Sequence, residues 1–296
     1  MSGAPAPASH SRPALPVGVG LGLRWEFLEE VVDGGPLDVA FFEVSPENYM
    51  KRGGYYPAAL ERVRERYPIV SHGLTLSLGS EREPDPAFVR ALRQELERLK
   101  TPWHSDHLSF SFAGERMLHE LLPLRFDRQS ARRVADRLRA LEDALGLPMV
   151  VENVTYYCHP GQREMSEPEF IREVLDRSGA RLLLDVNNVH VNAQNHGFDA
   201  VDFLQQLPLE RVVEIHVAGH SPSKWGMLID SHGAPVATAV HELLAWALER
   251  TGPVPVLLER DNDVPELDEL MREVKVLRQV YDAALSAREV RRAAGA

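Results

Sequence analysis

Eight short apolar runs, each followed by a stretch of helical periodicity, constrain this chain more than any other feature of it. They are VGVGLGL (17–23), DVAFFEV (38–44), PIVSHGL (68–74), WHSDHLSF (103–110), PMVVEN (148–153), RLLLDV (181–186), VVEIHVAGH (212–220) and PVLLER (255–260). Between them, Phe88, Leu92, Leu96 and Leu99, and again Val134, Leu138, Leu141 and Leu145, recur every three or four residues, which lays one apolar stripe along each helix. The last helical segment, PELDELMREVKVLRQVYDAAL, opens with Pro265 in its first turn and acidic residues beside it, both favourable at a helix N-terminus. Parallel strands need a crossover about as long as a helix. Eight such pairs predict an α/β fold, a closed (β/α)8 TIM barrel, with a doubly wound open sheet as the lesser alternative. At 296 residues the chain fits one barrel: a disordered lead-in over 1–16, the barrel over 17–285 and a basic tail over 286–296.

Composition narrows the class. A hydrophobic share of 44% with 26% charged residues supplies a sizeable core in a soluble protein, and no apolar run approaches the roughly 20 residues of a membrane span. Net charge is −11, from 44 acidic against 33 basic residues, which is poor equipment for gripping a phosphate backbone and argues against a nucleic-acid partner. The N-terminus MSGAPAPASHSRPALP has no charged region followed by an apolar one, so it does not read as a secretory signal. Cys158 is the only cysteine and reads as an ordinary loop thiol; with no intrachain disulfide to form, a cytoplasmic location is the simplest expectation.

A barrel of this kind carries its chemistry at the C-terminal ends of its strands. Strand three ends at His72, strand four carries His107, strand five ends at Glu152, strand six at Asp185, strand seven carries His216 and strand eight ends at Glu259. The loop after strand seven adds Asp230 and His232, whose spacing in an extended segment puts both on one face. A lone strand-end histidine is more often a hydrogen-bonded rim residue than a ligand. Six consecutive strands ending in imidazole or carboxylate are another matter, because random placement would scatter such groups to both rims.

Four histidines and four carboxylates exceed the four to six ligands of one transition metal and point to two or three ions bridged by carboxylates. With no thiolate among them, Fe, Mn or Zn suits the set better than copper(I). The run LLLDVNNVHVNAQNHG (182–197) then makes sense: Asp185 reads as a ligand, while Asn187, Asn188 and Asn192 read either as weak ligands or as groups that orient ligands and substrate. Asn153 and His196 are read as further substrate-side or supporting groups, with His190 and His196 in loop structure. Glu43, Glu47 and Asn48 in FFEVSPENYM read as pocket-wall groups.

SHGLTLSLGS, SDHLSF, VVENVTYY, LLLDVNNVHVNAQNHGFD, EIHVAGH, IDSHGAPV and LLERD, in this order, resemble the multinuclear non-haem iron-dependent oxidative enzymes, formerly family 692 of the domains of unknown function. The likeness runs from about residue 17 to about residue 280. It implies a xylose-isomerase-like barrel holding two or three iron ions in mixed Fe(II)/Fe(III) states. It also implies O2 as co-substrate and a ribosomally made precursor peptide, oxidised at cysteine, as substrate. A small partner protein that recognises the peptide leader is implied too. Carried over residue by residue, the metal ligands are His72, His107, Glu152, Asp185, His216, Asp230, His232 and Glu259, with Asp185, His216 and Glu259 as catalytic residues. Two rivals use the same barrel: a trinuclear zinc phosphodiesterase resembling endonuclease IV, which carries a histidine where this chain has Asn188, and a divalent-metal sugar isomerase.

Overall fold

The computed structural model describes residues 15–114, 116–159 and 161–294, so the expected lead-in lies almost wholly outside the described residues. Eight strands form the barrel: β1 (Val19–Gly22), β2 (Phe42–Val44), β3 (Ile69–His72), β4 (His104–His107), β5 (Met149–Glu152), β6 (Arg181–Asp185), β7 (Val212–Val217) and β8 (Val256–Leu258). They close in sequence order, every neighbouring pair parallel, β8 returning to β1. The helices Pro86–Leu99 and Arg128–Leu145 match the two apolar stripes, and Asp85 and Asp127 cap them by accepting backbone N–H groups of the first turn.

Side-chain alternation decides what the barrel holds. Phe42, Ile69, Met149, Val151, Leu182, Leu184, Val256 and Leu258 point outward into the large core shared with the helices. Phe41, Val70, Trp103, Val150, Leu183 and Leu257 form a separate buried cluster, the floor inside the barrel. Each fully buried aliphatic or aromatic group of that floor stabilises by about 1.5–3 kcal/mol relative to exposure. Gly20 on β1 is required there, because a Cβ would stand 2.5 Å from the Phe41 ring. Two residues further along the same inward faces come Glu43, His72, Glu152, Asp185 and Glu259. On β7 the register with β6 slips between Val212 and Glu214, leaving Val213 as an extra residue, after which Glu214 and His216 face inward.

Three expectations need correction. WHSDHLSF is not one strand: β4 stops at His107, and Ser109–Ala113 pairs antiparallel with Arg116–Pro123 as a hairpin outside the barrel. The asparagine-rich run is a helix, Val186–His196, capped by Asp185 and stopped by Gly197 at φ +72°, so His190 and His196 are helical rather than in a loop. The final helix runs from Leu267 to Ala293, so most of the basic stretch from 286 is its exposed end, the ordinary reading of such a run. Pro265 precedes its N-cap Glu266 instead of sitting in its first turn. Among the described residues no helix is long and apolar enough to cross a membrane.

Candidate metal centre

The inner ends of β3, β4 and β5 bring three ligand-type atoms to one point. His72 Nε2 lies 3.2 Å from His107 Nε2 and 3.2 Å from Glu152 Oε2, and His107 Nε2 is 3.4 Å from that same oxygen. Donors held about 2.1 Å from a common ion stand about 3.0–3.4 Å apart, so this triangle has the edge lengths of a coordination polyhedron. All three residues are buried, and Glu152 Oε2 makes no hydrogen bond. A hydroxyl chain sets the His72 tautomer: Ser105 Oγ donates to the Ser71 carbonyl at 3.1 Å, so His72 Nδ1 must donate to Ser105 Oγ at 2.9 Å. His72 Nε2 is therefore a bare lone pair, and it faces the triangle.

Glu152 also belongs to a second set with Asp185, His216 and Glu259, whose ligand atoms all lie within 4.8 Å of one another. Asp185 and His216 are register partners on β6 and β7, which places their side chains next to each other. Asp185 divides its carboxylate: Oδ1 caps the following helix through the Asn188 N–H at 2.6 Å, and buried Oδ2 has no partner. His216 Nδ1 sits 3.2 Å from Glu259 Oε2 and 3.7 Å from Glu152 Oε1. A third set joins His232, Glu259 and Asp261. His232 Nε2 is 2.8 Å from Asp230 Oδ1 and its Nδ1 3.4 Å from Glu259, neither in hydrogen-bond alignment. The Asp230–His232 approach comes from a left-handed backbone at His232, φ +46°, rather than from the extended segment expected. A non-glycine residue held there is strained, as is common at functional sites.

Electrostatics bind these groups to each other. Burial pushes the Glu152 carboxyl up, against the pull of His107, to about 7, and burial with Glu152 beside it raises Asp185 well above the carboxylate range. Burial opposes the charged form of His107, but Glu152 and Asp106 outweigh it and lift it to about 9. For Glu259 burial is likewise overcome, here by His232, His216 and Arg24, and its carboxyl falls well below the usual range. A buried centre this rich in carboxylates, with orphaned oxygens beside imidazole nitrogens, fits the hard and borderline cations that oxygen and nitrogen donors prefer.

The asparagines build the wall rather than the centre. Asn153 clamps the Asp185 backbone, accepting from its N–H at 3.0 Å and donating to its carbonyl at 2.9 Å. Asn188 spends both ends of its amide on Thr155 Oγ1 and the Asn153 carbonyl, and Asn192 ties the backbone of Val154 and Tyr156. Asn187 donates to Asp230 Oδ1 at 2.7 Å and faces His220 on its other side. Glu47 accepts from the Leu74 and Thr75 N–H groups, and with Asn48 it lines the cavity of about 560 Å3 above the centre. His196 stacks on Tyr156 and bonds its carbonyl, away from that cavity. Four groups of the site escape the strand-end rule. Glu214 and Asp261 join the ligand sets, Arg24 braces Glu259 at 3.6 Å, and Tyr157 accepts the Asp230 N–H. Glu214 was within reach of period-2 counting from His216; the others sit in loops that carry no period.

A closed parallel barrel with imidazoles and carboxylates sunk in its C-terminal mouth defines a class, the xylose-isomerase-like TIM barrels. Among solved structures it resembles the E. coli 3-keto-D-glucoside 4-epimerase YcjR, with TM-score 0.57 at 14% identity over 89% of this chain and 99% of that one. It also resembles endonuclease IV of Thermus thermophilus, with TM-score 0.53 at 17% identity over 91% and 99%. Identities this low establish the fold alone. Within the class, the chain belongs to the family described as RiPP precursor modification enzyme MbnB/TglH/ChrH, whose model matches residues 18–282. It is 42% identical over 264 residues to the UPF0276 protein PA3283 of Pseudomonas aeruginosa, covering 89% of this chain and 92% of that one. A UPF0276 protein of Shewanella amazonensis is 39% identical over 266 residues, covering 90% and 95%.

Proposed function

We propose that this chain uses two or three iron ions, in mixed Fe(II)/Fe(III) states, and O2 to oxidise a ribosomally synthesised precursor peptide at cysteine, together with a small leader-binding partner protein. The observation that carries this reading is Glu152: one carboxylate belongs to two ligand sets, the arrangement a bridging ligand needs, in a chain whose family modifies peptide precursors. His72, His107 and Glu152 would hold one ion, and Asp185, His216 and Glu259 with Glu152 the next. Asp230, His232 and Asp261 at the loop side complete the set. Bound iron would supply the reduction of O2 and a binding point for a thiolate. The protein's own part is to hold the imidazoles in one tautomer, seat the peptide side chain in the cavity over the centre and limit water there.

The cavity lining also bears on the phosphodiesterase alternative. Its titratable side chains are carboxylates and histidines, including Glu47, Glu120 and Asp261, with the Tyr157 phenol, and among the described residues it contains no Lys or Arg to hold a phosphate. The test is anaerobic loading with Fe(II), addition of a cysteine-containing precursor encoded beside this chain, and exposure to O2. Two or three irons per chain, O2 uptake and a mass change at the peptide cysteine are expected. Three tightly held zincs with phosphodiester hydrolysis, or no turnover of an authenticated substrate, would overturn the reading.

A further inference from the structure

We infer that Glu43 is a positioning residue for His216, accepting its Nε2 proton so that Nδ1 presents a lone pair to the Glu152, Asp185 and Glu259 set. The inference rests on the metal-centre reading above and goes beyond it: the sequence pattern reads Glu43 as a pocket-wall group, but it does not line the cavity and stands behind His216 instead. A neutral imidazole carries one proton on two nitrogens, so whichever nitrogen donates leaves the other bare. His216 is fully buried between two groups of carboxylates. On its Nδ1 side stand Glu259 at 3.2 Å and Glu152 at 3.7 Å, both members of ligand sets. On its Nε2 side stands Glu43 Oε2 at 3.1 Å, reaching across the barrel from β2, with the ligand atoms of Glu43, Glu214 and His216 all within 4.8 Å of one another.

Glu214 in turn accepts the Trp103 indole N–H at 3.2 Å, which ties this second row to the apolar floor. A carboxylate behind a ligating imidazole fixes its tautomer and raises its basicity, and loss of such a partner typically weakens metal binding 10–100-fold. His72 has a neutral hydroxyl, Ser105, in the equivalent place. The two imidazoles therefore differ in donor strength, His216 being the stronger of that pair.

Two variants and one direct measurement test this. Glu43→Leu has similar bulk and no acceptor, whereas Glu43→Gln keeps an acceptor oxygen. Anaerobic Co(II) titration, followed by visible absorption and equilibrium dialysis, is expected to show at least two equivalents in the wild type. In Glu43→Leu one equivalent should bind about 10–100-fold more weakly while the His72 and His107 equivalent is kept, and Glu43→Gln should recover most of the loss. Metal-free Glu43→Leu should melt somewhat below wild type, because the buried His216 Nε2–H loses its acceptor, while Glu43→Gln should melt close to it; a merely structural role would give that melting difference with no selective loss of one Co(II) equivalent. Unchanged Co(II) affinity in Glu43→Leu, or equal loss of both equivalents in the two variants, overturns the inference. Should Glu43→Leu not fold, 15N NMR of the metal-free wild type decides: a protonated Nε2 on His216 is required, and protonation at Nδ1 alone refutes it. A wild type that binds no Co(II) overturns the metal-centre reading itself, which separates that failure from this one.

Discussion

Asp185 does two jobs with two oxygens, and a pair of substitutions separates them. Oδ1 caps the helix Val186–His196 through the Asn188 N–H, while Oδ2, buried without a hydrogen-bond partner, is the oxygen the proposed function gives to a cation. In Asp185→Asn the amide oxygen still caps, because Asn is as good an N-cap as Asp, but the anionic ligand is gone. In Asp185→Ala both are lost, and the missing cap costs about 0.5–2 kcal/mol, centred near 1. Metal-free Asp185→Asn should be at least as stable as wild type, since a carboxylate forced into a buried place beside Glu152 has been neutralised. Metal-free Asp185→Ala should melt below Asp185→Asn by about 1.5–2 °C for each kcal/mol of cap lost. Both should lose about one metal equivalent. Calorimetry of the metal-free proteins with elemental analysis of the loaded ones checks each half. Wild-type metal content in Asp185→Asn would remove Asp185 from the ligands, and equal melting of the two variants would refute the capping argument.

Gly219→Ala should damage the centre from outside it: the new Cβ would stand 1.8 Å from the Ala234 carbonyl oxygen, forcing the loop that carries Asp230 and His232 to move. A destabilisation of about 1–3 kcal/mol with reduced metal content is expected, and wild-type values for both would show that the loop gives way freely. Glu167 predicts a pH dependence remote from the centre. Burial pushes its carboxyl up to about 8 despite the Tyr156 hydrogen bond. From about pH 4.5 to 8 the unfolded chain has released a proton that the folded chain keeps, so this group lowers stability as pH rises, by at most about 4–5 kcal/mol. Urea unfolding at pH 5.5 and 8.5 should find Glu167→Gln gaining on wild type at the higher pH; a constant difference between them would disprove the assignment.

The barrel was legible because parallel strands are short apolar runs and their helices carry stripes, and the inner imidazoles and carboxylates because they fall at one rim of it. His72, Glu152, Asp185 and Glu259 each close their run two residues after a floor side chain, a period-2 signal in plain view. The hairpin Ser109–Pro123 was hidden because LSFSF continues the β pattern of β4 without a break. The helix after Asp185 was hidden because asparagine is a poor helix former; there it is held by tertiary bonds to Asn153, Thr155 and Val154 that no local pattern records. The extra residue Val213 leaves no mark in sequence, yet it sets which face Glu214 and His216 occupy. Asp261 follows Glu259 in LLERD, but its meeting with His232 depends on the backbone turn at residue 232.

The floor of Phe41, Val70, Trp103, Val150, Leu183 and Leu257 makes the barrel a cul-de-sac. With that end closed, whatever reaches the proposed centre has to enter and leave by the same rim. On the reading proposed above, a peptide could not thread through; it would lie across the mouth and reach in with a side chain, and one product would have to clear before the next substrate could be seated.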